Sequence, residues 1–132
     1  MKKVRGYIFS RPFMGERVPQ HVQNMVIRDY CNRNDLHFLL SAAEYAMENS
    51  DLILQQVMCE LTDIDGIIAY SLFQLPEDGM KRTIIYNQII EMKKSIHFAV
   101  EGLSASTNQE CERIENLWRV RQTLPNCYKN YV

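Results

Sequence analysis

The feature that most limits the fold of this chain is an alternation of short apolar runs with helix-patterned stretches. Runs rich in β formers occur at Val4–Phe9, Leu36–Ser41, Ile67–Ser71 and Ile96–Val100. Between them, apolar residues recur every three or four positions, as on one face of a helix. The order is β-α-β-α-β-α-β-α. Strands joined through helices run parallel, their crossovers are right-handed, and the helices cover both faces of the sheet. The expected fold class is α/β, a small three-layer sandwich around a four-stranded parallel sheet. Residues 1–132 form one domain in this reading, with 106–132 as a C-terminal helix and tail.

The helices carry their own marks. Val22, Met25, Val26 and Tyr30 define a face from Val18 to Asn32, with Pro19 suited to the first turn. Ala42 to Asn49 reads as a connection. Ser50 or Asp51 then caps a helix holding Leu54, Val57, Met58 and Leu61. Pro76-Glu77-Asp78-Gly79 is a turn, followed by a helix over Lys81–Lys94. Ser106/Gln109 and Thr107/Glu110 both match a capping box ahead of Cys111, Ile114, Leu117 and Trp118. Pro125 bounds that last helix, leaving a tail with Tyr128 and Tyr131.

Composition narrows function by exclusion. Fifteen basic and sixteen acidic side chains give a net charge of -1, which argues against non-specific nucleic-acid binding. No apolar run is long enough to span a membrane, and the N-terminus lacks the apolar segment of a signal peptide. Four scattered cysteines and three scattered histidines lack metal-ligand spacing, so the cysteines read as reduced and the location as cytoplasmic. Glycine loops of the GxGxxG or GxxxxGK[ST] type are absent, and no cofactor is expected.

The polar cluster Phe9-Ser10-Arg11-Pro12-Phe13-Met14-Gly15 interrupts the first strand-to-helix junction. In an open α/β sheet, ligands bind beyond the carboxyl ends of the strands. Those ends supply Ser10-Arg11, Ser41, Ser71 and Glu101, with Glu44, Gln20, Gln23 and Gln74 close in sequence. Arg11 is a candidate anchor for phosphate or carboxylate. Ser10 is a candidate nucleophile or hydrogen-bond donor, and Glu44 or Glu101 a candidate general acid or base. Gln20, Gln23, Ser41, Ser71 and Gln74 are candidates for binding substrate hydroxyls or phosphate oxygens. The alternative for the serines and Glu101 is structural: capping, strand closure and solvation. His97 reads as a half-buried strand residue.

Gly6-Tyr7-Ile8-Phe9-Ser10, with Gln23 and the stretch Ile67–Leu75, resembles the catalytic domain of serine recombinases (resolvases and invertases). The resemblance implies a resolvase-like, flavodoxin-like fold. It departs from that family at Ile8, Phe73-Gln74 and Glu77, where recombinases carry arginines that clamp a phosphate, so DNA strand exchange is not expected. Arg5-Gly6-Tyr7-Ile8-Phe9-Ser10-Arg11, Pro19–Asn24, Ile27–Cys31, Tyr70–Pro76 and Ile96–Glu101 resemble the sporadic carbohydrate cluster proteins of bacterial surface-polysaccharide gene clusters. That resemblance implies a role in making or modifying a polysaccharide or glycoconjugate. The expected ligand is a sugar phosphate or nucleotide sugar, with no nucleic-acid partner. A homo-oligomer through the C-terminal helix is expected. The alternative is a non-catalytic, recombinase-like binding or assembly module. Both readings need the tips of the first and third strands to converge on one hollow.

Overall fold

The computed structural model describes residues 1–13, 15 and 17–131, with side chains described through residue 122. The strands are β1 (Lys2–Phe9), β2 (Leu36–Glu44), β3 (Gly66–Ala69), β4 (Ser95–Phe98) and β5 (Leu103–Ala105). The helices are α1 (Gln20–Arg33), α2 (Leu52–Cys59), α3 (Gly79–Glu91) and α4 (Asn108–Tyr131). One sheet forms in the order β2-β1-β3-β4-β5. The first four strands are parallel and β5 is antiparallel to β4.

Strand alternation sorts the core into two layers. Val4 and Ile8 of β1, Leu36 of β2 and Ile68 of β3 face α1, where Ile27 and Cys31 meet them. Tyr7, Phe9, Ile67, Ala69, Ile96 and Phe98 face the other way, onto Leu54 and Val57 of α2, Ile85 and Ile89 of α3, and Ile114 and Trp118 of α4. One face thus carries a single helix and the other carries three.

Three expectations change. The sheet has a fifth strand, because Gly102 adopts φ +65° and lets the chain reverse after β4. Glu101 therefore sits in a turn and not at a parallel strand end. Strand β2 continues to Glu44, placing Ser41 inside it. A bulge permits that extension: Arg5 pairs with Leu39 and Tyr7 with Ala42, so Gly6 opposes two residues. Glycine is required there, since a Cβ would overlap the Ser41 hydroxyl and come within 2.8 Å of the Phe38 ring. Arg5 Nη1 donates to the Leu40 carbonyl at 2.8 Å and satisfies the bulge. Helix α4 also runs past Pro125, the expected boundary; the Tyr128 and Tyr131 side chains lie outside the described residues, as does Met14 of the polar cluster.

Candidate functional site

Chain direction reverses about β1: the chain leaves it for β2 on one side, then crosses to β3 on the other. That switch point opens a crevice at the carboxyl edge of the sheet, where bound groups fit in folds of this type. Its volume is about 630 Å³. Phe9, Arg11 and Phe13 come from the β1 end, and Phe73, Gln74 and Asp78 from beyond β3. Asp51 at the start of α2, Lys81 of α3 and Trp118 of α4 complete the wall.

The floor is built by two amides. Gln23 is fully buried on α1 and accepts from the Phe9 N–H at 3.0 Å. It donates to the carbonyls of Phe9 and Val18, both at 2.9 Å. Gln74 Nε2 donates to Gln23 Oε1 at 2.8 Å, while Gln74 Oε1 accepts from the Tyr70 and Ser71 N–H groups at 3.1 and 3.3 Å. The two amides lock the tip of β1 to the exit of β3. Each oxygen and nitrogen of these two amides has a partner, as low-polarity surroundings demand.

Glu44 is 1% exposed and accepts five hydrogen bonds. Oε1 receives the Tyr7 hydroxyl at 2.9 Å and the Leu54 N–H at 3.1 Å. Oε2 receives the Ser50 hydroxyl at 2.9 Å and the Tyr45 and Ile53 N–H groups at 3.1 and 3.2 Å. Ile53 and Leu54 lie in the first turn of α2, so a distant carboxylate performs the capping that sequence assigned to Ser50 or Asp51. Burial pulls the Glu44 carboxyl up, but the hydrogen bonds from Ile53, Tyr7, Leu54 and Ser50 outweigh it and hold it below the ordinary carboxylate range. Burial, with the charge and hydrogen bond of Glu44, pushes the Tyr7 phenol up. Such a saturated, ionised carboxylate anchors structure and has no lone pair directed at the crevice.

Arg11 is half-buried, with its guanidinium 4.1 Å over the Phe9 ring. Nη1 donates to the carbonyls of Tyr45, Met47 and Ser50 at 3.1, 3.3 and 3.1 Å. Arg11 therefore clamps the β2–α2 loop while lining the crevice. Ser10 is exposed, donates to the Glu44 carbonyl, and does not line the crevice. Ser71 caps the one-turn 3-10 segment Leu72–Gln74, and its hydroxyl donates to Glu101 Oε2 at 2.7 Å. Glu101 Oε1 accepts from the Leu72 N–H at 2.9 Å. Ser41 donates to Asn24 Oδ1 at 2.6 Å on the α1 face, away from the crevice, and Gln20 is exposed on α1.

Of the nine candidates, Arg11 and Gln74 line the crevice, with Gln23 beneath Gln74. Sequence reasoning missed the aromatic wall of Phe13, Phe73 and Trp118, in which Phe73 and Trp118 lie edge to face at 5.2 Å. It also missed the carboxylates. Asp78 caps α3 by accepting from the Met80 N–H at 2.9 Å, and Asp51 pairs with Lys81 at 3.3 Å across the mouth. Among the described residues, no three His, Cys, Asp or Glu side chains gather to hold a metal ion. No described helix is long and apolar enough to cross a membrane.

No protein-family model matches the chain, and no curated protein sequence matches it. Solved structures do share its fold. The N-terminal catalytic domain of TP901-1 integrase superposes with TM-score 0.61 at 11% identity, over 93% of this chain and 98% of that one. A resolvase family site-specific recombinase from Streptococcus pneumoniae gives TM-score 0.64 at 9% identity, over 97% and 98%. The chain has the resolvase-like α/β fold. This finding corrects the exclusion of nucleic acid as a partner. The fold is shared with an integrase and a site-specific recombinase, and a net charge near zero says nothing of the local field that a phosphate backbone would meet.

Proposed function

We propose that the chain is a non-catalytic binding module of bacterial glycoconjugate synthesis, built on a recombinase-type core, whose crevice holds the sugar of a phosphorylated or nucleotide-linked ligand. The observation that carries this reading is the make-up of the crevice. Rings of Phe9, Phe13, Phe73 and Trp118 stand beside carboxylates of Asp51, Glu77 and Asp78. Aromatic faces pack against the C–H faces of a sugar ring, and carboxylates accept from its hydroxyls. The hydrogen bonds of Arg11 to the loop all leave from Nη1, so Nε and Nη2 are the donors for a phosphate. The non-catalytic part rests on Glu44, whose oxygens are filled by capping donors, and on Ser10 and Glu101, neither of which lines the crevice. The glycoconjugate setting rests on the resemblance of stretches such as Arg5–Arg11 and Tyr70–Pro76 to the sporadic carbohydrate cluster proteins, and the cytoplasmic location on cysteines read as reduced.

The test is a thermal-shift series with sugar phosphates, nucleotide sugars and duplex DNA, on wild type, Arg11→Ala and Phe73→Ala. The expected result is stabilisation of wild type by a sugar ligand, reduced in both variants. Stabilisation equal in all three proteins, or by duplex DNA alone, overturns the reading.

A further inference from the structure

We propose a second binding site, for a phosphate dianion, at the opposite edge of the sheet, where Lys2, Lys93, Lys94 and Ser95 line a pocket and Ser95 is bonded in turn to His97 and, through it, to Tyr30. The pocket holds about 340 Å³ beside the amino ends of β1, β3 and β4, and Asp65 and Ser106 complete its polar wall. It is separate from the crevice, which lies at the carboxyl edge.

Charge is the first argument. Three lysines and Asp65 line the pocket, and Glu110 is bonded to Ser106 at its edge, so positive charge exceeds negative here in a chain whose net charge is -1. None of the three lysines forms a salt bridge with a described residue. Asp65 is occupied, accepting from the Lys3 N–H at 2.7 Å through Oδ2. That excess attracts a phosphate.

The backbone gives the second argument. Helix α3 ends in a Schellman turn: the Lys93 N–H bonds to the Ile90 carbonyl at 3.1 Å, and the Lys94 N–H to the Ile89 carbonyl at 3.0 Å. The left-handed position of that turn favours glycine, yet Lys93 occupies it with φ +58°. The chain accepts a strained lysine at the rim of the pocket.

A chain of oriented groups is the third. Tyr30 Oη lies 3.0 Å from His97 Nδ1, and His97 Nε2 lies 2.9 Å from Ser95 Oγ. When Tyr30 donates to Nδ1 and Nε2–H donates to Ser95, the Ser95 hydroxyl proton is left for the pocket. Ser106 already donates to Glu110, so Ser95 is the hydroxyl donor. The groups that set the charge of His97 are Lys2 on β1 and Glu110 on α4; Tyr30 on α1 and Ser95 on β4 are neutral. Burial, then Lys2, pulls the imidazole down to about 4. A bound dianion opposes both effects.

The experiment titrates the full chain with inorganic phosphate and with glycerol 3-phosphate, against sodium chloride of equal ionic strength. Melting temperature and the His97 imidazole NMR signals are followed together. At about pH 8, where the phosphate is a dianion, the expected result is a melting shift above the chloride control and a saturable displacement of the His97 imidazole signals; the larger of the two melting shifts names the source of the phosphate. Lys93→Gly is expected to melt higher than wild type without ligand, because the strain is gone, and yet to lose at least half the phosphate-induced shift. Lys94→Ala is expected to lose the shift as well. A wild-type response no larger than chloride gives, an unmoved His97, or equal phosphate shifts in wild type and both variants overturns the proposal.

Discussion

Glu44→Gln is expected to destabilise the fold by about 3 kcal/mol, a large share of the ~5–15 kcal/mol that holds a typical domain together. The substitution keeps the shape and one carbonyl oxygen but replaces the other oxygen with an NH2 group. In either orientation that NH2 faces donors: Tyr7 and Leu54 on one side, or Tyr45, Ser50 and Ile53 on the other. The Tyr7 hydroxyl can rotate to accept, but the Leu54 N–H cannot. One buried N–H left unmatched costs about 1–3 kcal/mol, and weaker neutral hydrogen bonds add roughly 1 kcal/mol. Losing a negative charge at the start of α2 adds about 0.3–1 kcal/mol. Urea unfolding at pH 7, followed by circular dichroism, measures the sum. The pH dependence has a defined sign. The folded carboxyl titrates below its ordinary value of 4.5, so its contribution is present above that pH and fades as pH falls through the folded value. The variant should lack that part of the acid loss. A Glu44→Gln protein within 0.5 kcal/mol of wild type, with unchanged acid sensitivity, would refute the capping role and reopen a catalytic one.

The other predictions test separate joints. Gln23→Leu strands the Phe9 N–H and the Gln74 amide and should cost about 3 kcal/mol, and a cycle with Gln74→Leu should show a coupling of about 1 kcal/mol or more. Additive losses would mean that the amide pair is not a unit. Gly6→Ala should cost about 1–3 kcal/mol through overpacking against Phe38 and Ser41, with part of the loss recovered by Ser41→Ala. His97 is neutral when folded until pH falls to about 4, whereas the unfolded chain takes up that proton near 6.5. Its contribution is therefore present above about 6.5 and lost as pH falls toward 4, on the order of 3 kcal/mol at about 1.4 kcal/mol per unit. His97→Gln should flatten urea midpoints over that window, and an unchanged slope would remove His97 from the acid response.

Local signals carried most of the fold. The β-rich runs and the apolar spacing of α1, α2 and α3 are short-range patterns, and each one became an element near its expected place. Elements set by distant contacts were not legible. Strand β5 is three residues long, too short to show a period, and exists because it pairs with β4. The last residues of β2 carry a bulge that breaks alternation, and only the Gly6 backbone opposite explains it. The site divides in the same way. Arg11 and Gln74 stand beside turn signals and reached the crevice. Glu44 had the composition of an acid–base residue, but the N-terminus of α2 claimed it through a fold-level contact. Trp118 had the spacing of an ordinary core residue. It is one, at 5% exposure, stacked 4.2 Å from the Arg82 guanidinium, and it also forms crevice wall. No one-dimensional pattern distinguishes those roles.

Trp118 also supplies the most direct measurement, because it is the only tryptophan in the chain and lines the crevice. Its fluorescence is to be titrated with sugar phosphates and nucleotide sugars, in wild type and in Phe73→Ala. A sugar-binding crevice gives a saturable change in wild type with at least one such ligand, and a weaker midpoint once the Phe73 ring is gone. A flat response to every sugar ligand, alongside a saturable one to duplex DNA, would contradict it.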